Sequence, residues 1–179
     1  MPKYAAFLRA INVGGHNIKM DHLRRLFEEM GYSNVETFIA SGNVIFDSRS
    51  SSAKNITKII ERHLRDALGY EVATFIRTTK ELAKIADRNP FGDDALKAKV
   101  SSLYIAFLKD KLDDPLAKKV ISFASDVDEF HIDGREVYWL CRIRMLESEF
   151  SGAFLEKTLG MPATMRNSTT IRKMAAKYT

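Results

Sequence analysis

Apolar and polar residues along the chain change their spacing several times, and each change predicts a new element. Residues 4–11 are almost all apolar, as expected of a central strand that is buried on both faces. After a polar loop, apolar residues recur at three- and four-residue spacing, which is typical of one helix face. These positions are Leu23, Leu26, Phe27 and Met30, and Gly31 is the expected end of the helix.

The rest of the first half predicts a hairpin, a helix, a strand and a short helix. Alternating residues at 35–39 and 44–46 flank the turn Ser41-Gly42-Asn43 and predict two antiparallel strands. A helix over residues 56–68 should end at Gly69, and residues 72–76 should form a strand. Residues 78–81 (Thr-Thr-Lys-Glu) then predict a capping box, in which Thr and Glu side chains satisfy free amides of a short helix.

The second half repeats this order. A strand is predicted over residues 103–108, followed by a helix with Asp114 as N-cap and Pro115 in its first turn. Residues 127–132 and 136–141 predict a hairpin around Asp133-Gly134. A helix that ends at Gly160, a strand over residues 161–166 and a last helix complete the half.

Short sequence matches accompany the repeated order and indicate an internal duplication. Residues 6–9 (Ala-Phe-Leu-Arg) recur as residues 106–109 (Ala-Phe-Leu-Lys), and the segments 68–79 and 159–170 share Leu-Gly, Ala-Thr, Arg and Thr-Thr in order. We therefore predict an α+β protein made of two ferredoxin-like halves, each βαββαβ with a trailing helix and a mainly antiparallel sheet. The expected halves are residues 1–92 and 93–179, packed as one compact unit.

Composition is that of an ordinary globular protein, with 45% hydrophobic and 28% charged residues among 179. Cys141, the one cysteine, ends an alternating run and is predicted to be a small buried strand residue. A single cysteine fits a reducing cytosol, so a cytoplasmic location is expected. The first residues predict a strand rather than a signal peptide, and no apolar stretch is long enough to span a bilayer. Neither a cofactor nor a membrane partner is predicted.

Charge is mildly basic, at +5 overall. Residues 1–90 hold 14 basic and 10 acidic side chains, and residues 91–179 hold 14 and 13. Four cations share one face of the second helix: Lys54, Lys58, Arg62 and Arg65. Such a stripe could follow a phosphate backbone. A solvated outer face explains it as well and is favoured, because Glu61 and Asp66 dilute the stripe.

The loop after the first strand is the first candidate for ligand contact. Gly14 and Gly15 could expose backbone amides ahead of a helix, and Lys19 adds positive charge, a combination that can hold a phosphate or carboxylate. The spacing matches neither a Walker A loop nor a dinucleotide fingerprint. The alternative is a tight turn in which glycine supplies a positive φ.

Other polar positions have a structural and a functional interpretation. Ser41-Gly42-Asn43 is first of all a hairpin turn. Arg166 could present its donors to an anion, whereas Asn167 or Ser168 could simply cap the last helix. The four histidines show no metal-binding spacing. Four strand aromatics could stack on bases but are better explained by core packing: Phe38, Phe46, Tyr138 and Trp139.

Three segments together resemble the bacterial domain of unknown function 1697 family. They are residues 8–15 (Leu-Arg-Ala-Ile-Asn-Val-Gly-Gly), residues 38–46 around Ser-Gly-Asn, and residues 164–170 (Thr-Met-Arg-Asn-Ser-Thr-Thr). Ala10 departs from the glycine usual in the family, which would narrow the space beside the loop. The resemblance implies a duplicated ferredoxin-like fold and no established activity. It also implies one site built from three polar loops: Arg9, Asn12, Gly14, Gly15, Ser41, Gly42, Asn43, Arg166, Asn167 and Thr170.

Three functions remain open on the sequence. The favoured hypothesis is a binding module for a phosphate-bearing ligand, most simply nucleic acid. An enzyme acting on a small anionic metabolite would use Arg166 as its clamp but has no evident general base. A protein-interaction or structural role needs no site at all. Residues 111–112 (Lys-Leu) and 133–135 (Asp-Gly-Arg) replace the two glycine motifs in the second half, so we expect an asymmetric site that draws on both halves.

Overall fold

The computed structural model describes residues 1–39 and 42–179, which form two similar halves. The first half contains β1 (Lys3–Leu8), α1 (Met20–Glu29), β2 (Ser33–Thr37), β3 (Asn43–Asp47), α2 (Ala53–Leu68), β4 (Thr74–Thr78) and α3 (Thr79–Asp87). The second contains β5 (Ser102–Phe107), α4 (Asp114–Ile121), β6 (Asp128–Asp133), β7 (Glu136–Cys141), α5 (Gly152–Leu159), β8 (Thr164–Asn167) and α6 (Ser168–Tyr178). Short 3-10 helices cover Asp93–Leu96 and Met145–Glu147.

Each half forms a four-stranded antiparallel sheet, and the two sheets share one topology. The strand orders are β2-β3-β1-β4 and β6-β7-β5-β8. The repeat extends to the register: Ala6 pairs with Val44 on β3, and Ala106 pairs with Val137 on β7. The predicted duplicated α+β fold is therefore confirmed, and the matches at residues 6–9 and 106–109 mark the two central strands.

The central strand β1 is buried on both faces, as its apolar run predicted. Ala6 and Leu8 face a core with α1 and α2, where Phe27 and Ile60 are fully buried. Ala5 and Phe7 alternate with them, point to the opposite face and are also fully buried. Burial on two faces explains why this strand shows no polar alternation.

The second core is built around Trp139 on β7. Its ring packs edge-on against Phe150 at 4.9 Å between centroids, and Phe150 packs against Phe130 at 4.5 Å. Cys141 is buried in the same cluster with no exposed surface, as predicted for a small strand residue. The strand aromatics Phe46, Tyr138 and Trp139 are all buried, so the core-packing interpretation is confirmed for them.

Helix ends follow the predicted chemistry, with one correction. Thr78 and Glu81 form the capping box: the Glu81 amide donates to Thr78 Oγ1 at 3.1 Å, and the Thr78 amide donates to Glu81 Oε2 at 2.8 Å. The prediction that Asp114 caps α4 is wrong, because Asp113 Oδ1 accepts the Leu116 amide at 2.9 Å. The extended backbone of Asp113 aims its carboxylate at the first turn, which leaves Asp114 inside the helix.

The chain divides into two compact units. Unit 1 comprises Met1–Lys84 and Met174–Thr179, and unit 2 comprises Ile85–Lys173. These units are defined by packing, whereas the predicted division at residues 92 and 93 is defined by the sequence repeat and stays a prediction.

The last turn of α6 belongs to unit 1 and is tied to β2. Lys177 Nζ and the Tyr178 hydroxyl both donate to Glu36 Oε2, at 2.8 and 2.9 Å. These hydrogen bonds, that of Lys177 foremost, lower the pKa of Glu36 below its ordinary value. Phe38 is half-buried beside Tyr178, with ring centroids 6.0 Å apart.

The longest helix in the described part of the chain, α2, is amphipathic. None of the described helices combines the length and the apolar character that crossing a membrane requires.

Candidate functional site

The segment from Arg9 to Lys19, here called the 9–19 loop, follows β1 and leads to α1 in unit 1. The Arg9 amide donates to the carbonyl of Ala73 at 2.9 Å, and the Arg9 side chain is exposed. Ala10 follows with φ of 54°, a left-handed conformation that costs a residue with a Cβ about 1–2 kcal/mol. A glycine would adopt this conformation freely, so the alanine side chain places strain in the backbone at this position.

Side chains of the loop itself and of Tyr70, which follows α2, hold the two ends of the loop together. Ile11 and Ile18 are buried, and between them Asn12 Oδ1 accepts the Ile18 amide at 2.8 Å. The Tyr70 hydroxyl donates to the Ile11 carbonyl at 3.3 Å. The loop is therefore closed by defined contacts, and Asn12 has a structural role in it.

The tip of the loop is open to solvent. Gly14 and Gly15 are exposed with φ of 63° and 85°, and no atom lies within 4 Å of where a Cβ would be. The positive φ that the turn interpretation expected is present at both glycines, and each has room for an added Cβ. Lys19 is exposed at the N-cap position of α1, and its side chain forms no capping hydrogen bond.

An aromatic pair that no sequence pattern predicted lies beside this tip. His16 is exposed and lies face to face with Tyr70, with ring centroids 3.7 Å apart and an interplanar angle of 19°. The partners are far apart in sequence, one in the loop and one just after the C-cap of α2, so only the folded chain brings them together. The pattern of spacings offered no reason to associate them.

Gly42, of the second glycine motif, packs against Leu8 and Ile11, at the end of β1 and the start of the 9–19 loop. Gly42 has φ of 74°, and a Cβ there would lie 2.7 Å from Ile11 Cγ2 and 3.1 Å from Leu8 Cβ. The Leu8 amide also donates to the Gly42 carbonyl at 2.8 Å. Asn43 is fully buried, and its Nδ2 donates to the Phe38 carbonyl at 3.0 Å. These contacts place the second motif beside the start of the 9–19 loop in unit 1; Ser41 lies outside the described residues.

The third motif lies in unit 2, and its arginine is largely buried. Arg166 is 9% exposed on β8, where its Nη1 donates to Thr164 Oγ1 at 2.8 Å and to the Met165 carbonyl at 3.0 Å. Burial lowers the pKa of Arg166 to about 10, so the guanidinium remains charged at neutral pH. That Arg166 contacts an anion stays a prediction.

The residues that follow Arg166 cap or begin the last helix, α6. Asn167 Oδ1 accepts the Thr169 amide at 2.9 Å, which is the capping role weighed against a ligand role. Thr170 is half-buried in the first turn of α6. Ligand contact by Asn167 or Thr170 stays a prediction.

The first half contains a counterpart of this motif. Arg166 pairs with Ile105 across the sheet, and Arg77 pairs with Ala5 at the equivalent position of unit 1. Arg77 is 1% exposed, and the next residue, Thr78, caps α3 just as Asn167 caps α6. A buried arginine followed by a cap is thus a shared feature of both sheets.

The register also corrects how the hairpin turns of the two halves correspond. The Leu108 amide donates to the Arg135 carbonyl at 2.9 Å, just as the Leu8 amide donates to Gly42. Arg135 therefore replaces Gly42, and Glu136 replaces Asn43, one residue later than the sequence match with Asp133-Gly134-Arg135 predicted. The glycine packing of unit 1 has no equivalent at this position, which supports the asymmetry of the two halves.

Unit 2 has an open groove of its own, with a volume of about 710 Å³. Phe123 and Phe154 line it together with the acidic residues Asp126, Glu147 and Glu149. Buried Asp128 also lines it and accepts hydrogen bonds from Trp139 Nε1 at 2.7 Å and Ser148 Oγ at 2.6 Å. Over residues 1–39 and 42–179, no three His, Cys, Asp or Glu side chains cluster closely enough to hold a metal ion.

Comparison with other proteins agrees with the motifs and the fold. A family model matches residues 1–138, and its description is "Protein of unknown function (DUF1697)". This match confirms the family resemblance. The motif at residues 164–170 lies beyond the matched part. No curated protein matches the sequence.

A conserved bacterial protein from Streptococcus pneumoniae has a similar structure, with a TM-score of 0.76. The two are 20% identical in sequence, and the match covers 98% of this chain and 97% of that one. At this identity the likeness shows the fold alone.

Proposed function

This chain belongs to the DUF1697 family of proteins of unknown function, and we propose that it is a binding module for phosphate-bearing ligands, foremost nucleic acid. The proposed contact surface is the 9–19 loop of unit 1. The family description carries no activity, so the proposal rests on the chemistry of this loop.

The observation that carries the proposal is an anchored loop with an exposed glycine tip and one exposed cation at each end of the loop. Arg9 and Lys19 flank Gly14 and Gly15, and the Asn12–Ile18 and Tyr70–Ile11 hydrogen bonds close the loop. Phosphate oxygens accept hydrogen bonds from guanidinium, ammonium and backbone amide groups. Because the loop is already held in place, less conformational entropy is lost when a ligand binds.

The distribution of charge over the chain supports the same surface. Unit 1 holds 14 basic and 9 acidic side chains, whereas unit 2 holds 14 of each, so unit 1 carries the whole excess of +5. A positive field attracts polyanions and raises their rate of association. This localisation favours a polyanionic ligand on unit 1 over one on unit 2.

Phosphate binding at the 9–19 loop does not require the third motif, residues 164–170. Arg166 donates two hydrogen bonds to groups of its own strand, and Arg77 occupies the equivalent place in the other sheet. A pair of equivalent buried arginines is explained by sheet structure without a ligand. A contribution of Arg166, Asn167 and Thr170 to the site stays a prediction.

The test is a fluorescence-anisotropy titration of the full chain with a labelled single-stranded oligonucleotide of about 12 nucleotides, from about 50 to 200 mM salt. The double variant Arg9→Ala/Lys19→Ala should bind roughly tenfold more weakly at the lowest salt. Because each lost phosphate contact on a single strand removes about 0.7 from the salt slope, the slope should become shallower by about 1.4.

A control with the same loss of charge lies in unit 2. Lys118→Ala/Lys119→Ala removes two exposed cations of α4 and should leave affinity and slope close to those of the unaltered chain. Equal weakening by both double variants would show that only net charge matters. Undetectable binding of the unaltered chain at about 50 mM salt would end the nucleic-acid proposal.

A further inference from the structure

The stacked pair of His16 and Tyr70 lies beside the glycine tip of the 9–19 loop. The Tyr70 ring is half-buried against the core of unit 1, and its hydroxyl is fixed to Ile11. His16 is exposed, although its ring lies 3.7 Å from that of Tyr70. One face of the His16 ring is therefore covered by Tyr70, while the residue as a whole is exposed to solvent.

A supported ring with an exposed surface suits a flat, weakly polar ligand group. Nucleobases stack on aromatic rings in single-stranded nucleic acid complexes, and the stacking tolerates any base because every base has a π-face. A ring held in position by a second ring loses little freedom on binding. A ligand made of phosphate alone has no flat group that could stack on this ring.

The pair also lies where a base would follow a phosphate. His16 directly follows Gly15, around which space is free. The His16 amide donates to the Val13 carbonyl at 3.2 Å, and this turn fixes the histidine backbone next to the glycine tip. A phosphate at the loop amides would thus bring the attached nucleoside close to the imidazole.

We infer that His16, backed by Tyr70, is a stacking platform for a nucleobase, and that the ligand of the 9–19 loop is a nucleobase joined to phosphate. This inference rests on the proposed phosphate-binding function and narrows its ligand class. A free nucleotide and a single strand share this chemistry.

The experiment compares three probes: a single-stranded DNA of about 12 nucleotides, an abasic strand with the same phosphates, and a mononucleotide. His16→Ala should weaken binding of the normal strand by roughly 5- to 140-fold, the range that loss of one stacked base produces. His16→Phe should restore binding, because it keeps an aromatic face. Neither variant should change binding of the abasic strand.

His22→Ala is the matched control, since His22 is an exposed histidine on α1 of the same unit. It should bind all three probes like the unaltered chain. A mononucleotide that binds as tightly as the strand, and that His16→Ala weakens equally, identifies a free nucleotide as the ligand. Much tighter binding of the strand identifies single-stranded nucleic acid.

Two results separate failure of this inference from failure of the proposed function. If normal and abasic strands bind equally, with the same salt dependence and no effect of His16→Ala, stacking is overturned while phosphate binding stands. If no probe binds at about 50 mM salt, phosphate binding itself fails and the inference falls with it.

Discussion

Gly42 and Gly14 have the same left-handed backbone and opposite surroundings. At Gly42 an added Cβ would meet Ile11 and Leu8 at 2.7 and 3.1 Å, whereas at Gly14 it would meet nothing within 4 Å. A glycine can thus be required by its φ alone, or by its φ together with close packing. The two cases differ in how much stability a side chain should cost.

We expect Gly42→Ala to lower the free energy of unfolding by about 3 kcal/mol, the sum of left-handed strain and overpacking against Ile11. Gly14→Ala should lower it by about 1 kcal/mol, since only the backbone strain applies. Urea unfolding followed by circular dichroism measures both. Equal losses for the two variants would contradict a close contact between the hairpin turn and the 9–19 loop.

Local sequence was sufficient for the turn but not for its neighbour. Ser-Gly-Asn between two alternating runs predicts a hairpin, and a glycine with positive φ was found there. The contact of Gly42 with Ile11 joins segments that a helix and a strand separate in the chain. No periodicity contains that information.

At the scale of elements, one buried carboxylate links three parts of unit 2. Asp128 on β6 accepts hydrogen bonds from Trp139 on β7 and from Ser148 in the segment before α5. It is 4% exposed, so a lost partner would leave a buried polar group unsatisfied. The side chain thereby fixes the hairpin beside the open groove.

Asp128→Ala should lower the free energy of unfolding by about 3 kcal/mol, because it leaves the buried Trp139 N–H without an acceptor. Trp139 is the one tryptophan of the chain, so its fluorescence reports the change directly. Exposed Asp126 provides the control, and Asp126→Ala should stay within about 0.5 kcal/mol of the unaltered chain. Similar stability of both variants would mean that Asp128 does not hold the hairpin.

Element types and order were predictable because helix and strand periods differ and because glycines and caps mark the ends. The αL glycines Gly69 and Gly160 end α2 and α5 as predicted. The cap of α4 was placed one residue late, since Asp113 and Asp114 are adjacent and only the backbone dihedrals decide which carboxylate faces the helix amides.

For the whole molecule, the location of charge matters more than its total. Lys54, Lys58 and Arg62 are exposed on α2 of unit 1, the unit that carries the net charge. Their side chains form no hydrogen bond or ion pair with the described part of the chain. On the favoured interpretation they are a solvated face, and such a face acts on a polyanion through its field.

The triple variant Lys54→Gln/Lys58→Gln/Arg62→Gln should therefore slow association with a single strand about three- to tenfold at low salt. Its dissociation rate should change less than about twofold, because the cations steer the ligand without contacting it. Stopped-flow fluorescence separates the two rates. Exposed Lys111, Lys118 and Lys119 of unit 2, changed to glutamine, give the control with the same charge loss and should have the smaller effect on association.

A rise in the dissociation rate of the α2 variant would contradict the solvated-face interpretation. It would indicate that the stripe binds phosphates directly. The proposed contact surface would then extend from the 9–19 loop onto α2.

The sequence by itself determined the elements, their duplicated order and the family, because these depend on spacing, turn residues and short motifs within local segments. Tertiary structure alone decided which polar residues are available. Arg166 is buried on a sheet, Gly42 packs on Ile11, and the ring of His16 stacks on that of Tyr70. The physical reason is that exposure and contact depend on segments distant in sequence, and the spacing of residues within one segment does not specify what covers it.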